Sequence, residues 1–280
     1  MAFERPGGRV LDYQMCRYGK SRLLVRGPKQ RLTPPYTLFF GGTETFGRFV
    51  ARPFPDLIAS RVGLKTVNMG CVNAGLDAFA SDPSLLTAAA RSETTVIQVV
   101  GAHNLTNRFY TVHPRRNDRF ITATPLLRNL YPEVDFTEFS FTRHMLTALE
   151  TVSPERLQTV ATELQDVWLQ RMKLILREAG PSCVLLWLAD AVPPQSALSI
   201  LDGADPLFVD VPMMAQVGAM ADVLVEAIPS RPAREAGTDG MVFTEFETPT
   251  ARETAGPAVH DEVASHLIPV LDRLRRKGAA

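Results

Sequence analysis

From residue 36 onward, short apolar runs rich in β-branched and aromatic residues alternate with stretches of helical periodicity. Strands separated by helical segments in this way make a parallel sheet with crossover helices, and few other folds accommodate the pattern. Residues 36–40, 66–69, 94–100, 183–188 and 223–227 read as the strands. The run 94–100 is densest in β-branched residues and reads as a buried strand that stops at Gly101. Helices are expected at 53–62, with Pro53 at the start and Gly63 just past the end, and at 83–91, capped by Ser81 ahead of Pro83. Ser153 and Pro154 open a long helix to about 179. Another is expected at 211–220. The last, 260–277, carries Leu267, Val270, Leu271 and Leu274 on one face and a basic final turn that suits the helix dipole.

The expected fold class is therefore α/β, a three-layer α/β/α arrangement around a mainly parallel sheet. Residues 36–280 are expected to form a single domain, and a length of 280 residues fits one such unit better than two equal ones. Residues 1–35, rich in glycine and proline, read as an N-terminal arm that wraps over the sheet or meets a partner. Residues 103–152 are irregular, aromatic and arginine-rich, an insertion of the kind that serves as a lid or functional loop. Residues 191–206 and 229–258 also read as loops.

Composition narrows the partners. Hydrophobic content of 45% with 21% charge is that of a water-soluble globular chain, and no apolar run is long enough to span a bilayer. The first thirty residues lack the pattern of a secretory signal, so a cytoplasmic location is the default expectation. Cys16, Cys71 and Cys183 are too few and too scattered for a disulfide framework or a metal knuckle. A formal net charge of zero argues against general nucleic-acid binding. The charge is unevenly placed, with eight Lys or Arg against two acids in residues 1–35 and four arginines against one Asp in 108–119.

Chemistry is expected where the first strand ends. Residues 36–48 read Tyr-Thr-Leu-Phe-Phe-Gly-Gly-Thr-Glu-Thr-Phe-Gly-Arg, an apolar strand running into paired glycines and then hydroxyl and carboxylate side chains. Open α/β sheets place ligands at the carboxyl ends of their strands. His260, opening the last helix, could fold back to that edge. The arginine-rich segment begins at the end of the strongest strand, where Arg108, Arg115 and Arg116 could bind phosphate, sulfate or carboxylate and Phe109, Tyr110 and Phe120 could stack on a sugar or base. The competing reading is a salt-bridged loop pinned to Asp118, Glu133 or Asp135. Glu44 can serve a site or favour the N-terminus of the next helix; Cys71 reads as a buried, inert thiol. The glycines make neither a dinucleotide fingerprint nor a Walker loop, and no His or acidic pair has zinc spacing, so neither cofactor nor metal is expected.

The order of these motifs resembles the SGNH-hydrolase superfamily, also called GDSL-like, over about residues 36–275. Within it the chain is similar to a bacterial family known only as a domain of unknown function, through Arg26-Gly27-Pro28, Gly41-Gly42-Thr43-Glu44-Thr45 and residues 112–118, Val-His-Pro-Arg-Arg-Asn-Asp. The resemblance implies an SGNH/flavodoxin-like sheet and a site carried over motif by motif. Thr43 stands where the nucleophilic serine would be. Gly75, after Asn73, matches the glycine that helps bind an oxyanion. Gly101-Ala102-His103-Asn104 resembles the Gly-x-Asn-Asp block, with Asn104 as the oxyanion donor. His260 matches the histidine of Asp-x-x-His, but the aspartate is missing, and losing that carboxylate can cost a serine hydrolase about four orders of magnitude in rate.

The reading that follows is an ester hydrolase or acyltransferase. Thr43 and His260 would be catalytic, Gly75 and Asn104 would bind the oxyanion, and Glu44, Asn73, His103, Arg108, Arg115 and Arg116 would contact an anionic or carbohydrate-linked ester. Two alternatives stand beside it: group transfer from coenzyme A or a sulfonucleotide, and a catalytically silent module that binds carbohydrate or protein. The oligomeric state is left open.

Overall fold

The computed structural model describes residues 11–278; the first ten residues of the expected arm lie outside that range. Its strands are β1 (Thr37–Phe40), β2 (Thr66–Asn68), β3 (Thr94–Gln98), β4 (Tyr110–His113), β5 (Arg116–Ala123), β6 (Cys183–Leu188) and β7 (Val223–Ala227). Five of them form one sheet in the order β2–β1–β3–β6–β7, every neighbouring pair parallel. The helices are α1 (Thr43–Phe46), α2 (Phe54–Val62), α3 (Asp77–Ala80), α4 (Pro83–Ala90), α5 (Pro125–Leu130), α6 (Thr142–Val152), α7 (Pro154–Glu178), α8 (Val211–Gly218), α9 (Arg231–Glu235), α10 (Thr248–Arg252) and α11 (Pro257–Gly278).

The period of two along a strand sorts its side chains into two cores. Leu38, Phe40, Ile97, Leu185 and Trp187 pack with Phe79, Leu85, Leu164, Trp168 and Met213, from α3, α4, α7 and α8. Phe39, Val96, Val184 and Leu186 face the other way and pack with Ile58 of α2, Ala233 of α9 and Val263 and Leu267 of α11. The result is a three-layer α/β/α fold. Buried Trp168 fastens α7 to the sheet edge, its Nε1 donating to the Val100 carbonyl at 2.8 Å.

Several boundaries differ from expectation for identifiable reasons. Asp82, not Ser81, caps α4, since its carboxylate accepts from the Ser84 and Leu85 amides. The last helix begins at Pro257, so His260 lies inside its first turn rather than opening it. Residues 229–258 contain the short helices α9 and α10.

The expected lid is a packed substructure. β4 and β5 form an antiparallel hairpin, α5 and α6 follow, and Tyr110, Phe120, Tyr131 and Phe136 are buried among them. Its alternation is hidden by irregular pairing. Val112 pairs with Phe120 while His113 pairs with Arg116, which leaves Asn117, Asp118 and Arg119 bulged out of the ladder. Such bulges re-aim side chains and often sit beside functional sites.

The described part of the arm packs on the same core as the sheet. Cys16 bridges Val25 in antiparallel fashion, and Tyr18, Leu23 and Val25 are buried. Among the described residues, no helix is long and apolar enough to cross a membrane.

Candidate functional site

The turn after β1 is built around Gln98, the last residue of β3. Its Oε1 accepts from Gly42 N at 3.1 Å, Thr45 N at 3.2 Å and Thr45 Oγ1 at 2.6 Å. With the amide oxygen committed, Nε2 must turn to Glu44, whose Oε2 it reaches at 2.8 Å. A side chain at Gly41 would place its Cβ 2.1 Å from Thr45 Oγ1 and 2.5 Å from Gln98 Oε1, so only glycine lets this network close. Burial raises the Glu44 carboxyl above its ordinary range; the Gln98 hydrogen bond opposes the shift and the charge of Asp205 adds to it.

The arm holds the turn from behind. Arg26 Nη1 donates to the carbonyls of Phe46 and Gly47, and Nη2 to those of Val50 and Ala51. The rings of Tyr13 and Phe46 flank its guanidinium at 5.0 and 5.7 Å. From β2, Asn68 Nδ2 takes the Thr45 carbonyl at 2.7 Å.

Thr43 pairs with Asn73. Its Oγ1 donates to Asn73 Oδ1 and accepts from Asn73 N, both at 3.1 Å. Asn73 adopts a left-handed backbone with φ 56°, a conformation asparagine tolerates better than most residues. Its Nδ2 continues to Asp118 Oδ2 at 3.2 Å. The ends of β1 and β2 and the β5 bulge thus share a hydroxyl–amide–carboxylate chain.

His260 stands elsewhere. It is 1% exposed, stacks on Phe54 and accepts the Phe54 amide on Nδ1 at 3.1 Å. The reason is local: α2 has Pro53 at its N-cap, a residue with no side-chain acceptor, and His260 supplies one to the buried first amide. Burial pushes its pKa down to about 4, the Arg26 charge adding and a hydrogen bond to the Ala255 backbone opposing. Among the described residues, no hydrogen bond joins Thr43 to His260. The two residues expected to act together thus have separate hydrogen-bond partners.

Gly75 has its amide engaged as well. Its N–H is taken by Asn117 Oδ1 at 2.9 Å, and a Cβ there would lie 2.1 Å from the Asn104 carbonyl. It is glycine because another backbone passes close by. Asn104 is 7% exposed, and its Oδ1 accepts from Thr142 Oγ1 at 2.6 Å. That contact orients the amide; Nδ2 has no hydrogen-bond partner among the described residues.

His103 sits beside this edge. Burial, with the nearby charge of Arg143 adding, pushes its pKa down to about 3, which keeps the ring neutral at pH 7. Its Nδ1 is buried without a hydrogen-bond partner among the described residues. The predicted arginines divide. Arg108 pairs with Glu163 of α7 at 2.9 Å and lies over Phe109, so it ties the hairpin to a helix. Arg115 and Arg116 are exposed at the hairpin turn. The Cys71 thiol is pushed up to about 11 by burial, with Asp118 adding, as an inert thiol should be. Among the described residues, no three His, Cys, Asp or Glu side chains gather as a metal site would require.

Sequence reasoning missed Gln98, Thr142, Arg143 and Asp205 as members of this edge, and read Asp118 and Arg119 only as parts of the arginine-rich segment. Gln98 carried a usable signal, being a polar residue inside an otherwise apolar strand. The others lie on segments whose path only the tertiary structure reveals.

A comparison with curated proteins gave no match. The chain is similar to the crystal structure of the lipase Lip_vut3 from goat rumen metagenome, with 9% identity and a TM-score of 0.39 over 83% of this chain and 98% of that one. So loose a likeness bears on neither substrate nor mechanism. The family described as a domain of unknown function, DUF6473, matches residues 1–275, and the chain belongs to that family.

Proposed function

We propose that the protein is an SGNH-like enzyme that hydrolyses an ester or transfers its acyl group, with Glu44 as the acid–base group in place of His260. The Gln98 network carries this reading. It holds a carboxyl of raised pKa beside Thr43, at the strand ends where open α/β sheets bind ligands. A carboxyl held above its ordinary range returns a proton to a leaving group more readily than one of ordinary acidity.

In this mechanism Glu44 takes the proton of an attacking water or acceptor alcohol and returns it to the departing alkoxide. Asn104 Nδ2 and the Thr43 amide, neither holding an acceptor among the described residues, stabilise the oxyanion. Thr43 orients the substrate. Its hydroxyl is engaged on both sides by Asn73 and, among the described residues, makes no hydrogen bond to the Glu44 carboxylate or to a histidine, as a nucleophile's hydroxyl would.

Glu44→Gln is the test, since glutamine keeps the shape and can still accept from Gln98. Turnover of a panel of short-chain esters is expected to fall about 100-fold or more, with the pH dependence of kcat/KM losing its Glu44 limb. Full activity in Glu44→Gln would sink the assignment.

A further inference from the structure

Two buried side-chain nitrogens have no hydrogen-bond partner among the described residues, His103 Nδ1 and Arg119 Nε. Native proteins rarely leave such groups unsatisfied, and a bound ligand is one recognised reason. Both residues lie near the start of α6. Arg119 belongs to the three-residue bulge of β5, beside Asp118 and its link to Asn73 and Thr43. Its backbone bridges Phe141, and its guanidinium lies 4.2 Å over the Phe141 ring, which is 42% exposed. A cation held over a ring at this distance is attracted by it and needs no carboxylate partner to stay in place.

The surroundings suit an anion. Among the described residues, Arg119 has no carboxylate partner, whereas Arg143 shares Asp205 at 3.2 Å and Arg108 is tied to Glu163. Phe141 is the N-cap of the eleven-residue α6 and offers no side-chain acceptor, so the amides of the first turn remain open. Asp118 is already engaged by Asn73. Arg115 and Arg116, the arginines singled out in the sequence, sit out at the hairpin turn.

We propose that Arg119, with Arg143 and the open first turn of α6, binds an anionic group, carboxylate or phosphate, carried by the ester substrate. This specificity rests on the enzymatic reading given above and extends it to the substrate class. Arg119 stands on the hairpin side of the edge and Glu44 on the β1 side. In the proposed complex the scissile carbonyl would reach from the anchored anion toward the Glu44 carboxyl.

The experiment compares three esters of one acyl group and equal length, whose alcohol parts end in a carboxylate, a phosphate or a neutral methyl ester. The wild-type kcat/KM is expected to favour one anionic ester over the neutral one by about 10- to 100-fold, the range of a charge-assisted contact. Arg119→Gln should bring that ratio to about one. Arg119→Lys should restore part of it, because charge is kept and the fork is lost. Whichever anionic ester is preferred identifies the ligand group. A neutral preference in the wild type, or a ratio unchanged in Arg119→Gln at an unchanged melting temperature, overturns the anion site while ester turnover itself leaves the enzymatic reading standing. If no ester is turned over, the enzymatic reading fails. Titration of wild type and Arg119→Gln with succinate and inorganic phosphate then decides the anion site alone: binding lost in the variant supports it, and equal or absent binding in both overturns it.

Discussion

His260 accepts the first amide of α2 through Nδ1, a role only the neutral ring can fill. Its pKa is about 4 in the folded chain against an ordinary 6.5, so between these values the unfolded chain binds more protons than the folded one. Stability from this group is complete above pH 6.5 and is lost as pH falls toward 4, with a limiting slope of about 1.4 kcal/mol per unit. His260→Ala should cost about 2–4 kcal/mol at pH 7, combining a lost cap and a cavity beside Phe54. It should also flatten the acid limb. Chemical denaturation at pH 7 and pH 5 checks both, and a variant as stable as the wild type would remove the capping role. In sequence the residue was compatible with a catalytic base or a helix position. Its place in the chain suits both, and the partner of Nδ1 separates them.

Among the elements, the β4–β5 hairpin contributes most to the edge and was least legible. A regular hairpin would alternate its side chains, but the unpaired run 117–119 breaks the alternation and sends Asn117 to the Gly75 amide and Asp118 to Asn73. Strands β3 and β6 were legible because every residue is buried, and their composition is β-branched in the first and apolar in the second; β7, at the sheet edge with Glu226 exposed, was legible from its Val-Leu-Val run. The turn after β1 was legible for a different reason. Paired glycines after an apolar strand mark a close backbone approach, and Gly41 does meet Thr45 and Gln98 at distances no Cβ tolerates. Gly75 was read as an oxyanion donor from the resemblance to the superfamily's second block. Gly75→Ala should displace the Asn104 segment, at a cost of about 1–3 kcal/mol, and lower the melting temperature. An unshifted melting temperature would show that the segment adjusts without strain.

For the whole molecule, the arm bears on the site as well as on stability. Tyr18, Leu23 and Val25 belong to the larger core, and Arg26 holds four carbonyls of the segment after Thr43 and Glu44. Deleting residues 1–26 removes three buried apolar side chains, each worth about 1.5–3 kcal/mol, together with that anchor. The shortened chain is expected to melt well below the full one and to bind an apolar dye. A melting temperature within a few degrees of the full chain would reduce the arm to a decoration.

The α/β class, the five parallel strands and the chemical character of the first turn follow from the amino-acid sequence alone. Burial period, glycine and proline placement and β-branched composition are local properties, written along the chain. The company each polar side chain keeps is set by contacts between distant segments. Phe54 and His260 are 206 positions apart, and Thr45 and Gln98 are 53. No local pattern encodes such a meeting. The folded structure therefore decided that His260 caps a helix, that Gly75 has spent its amide, and that the Glu44 carboxylate is held by Gln98.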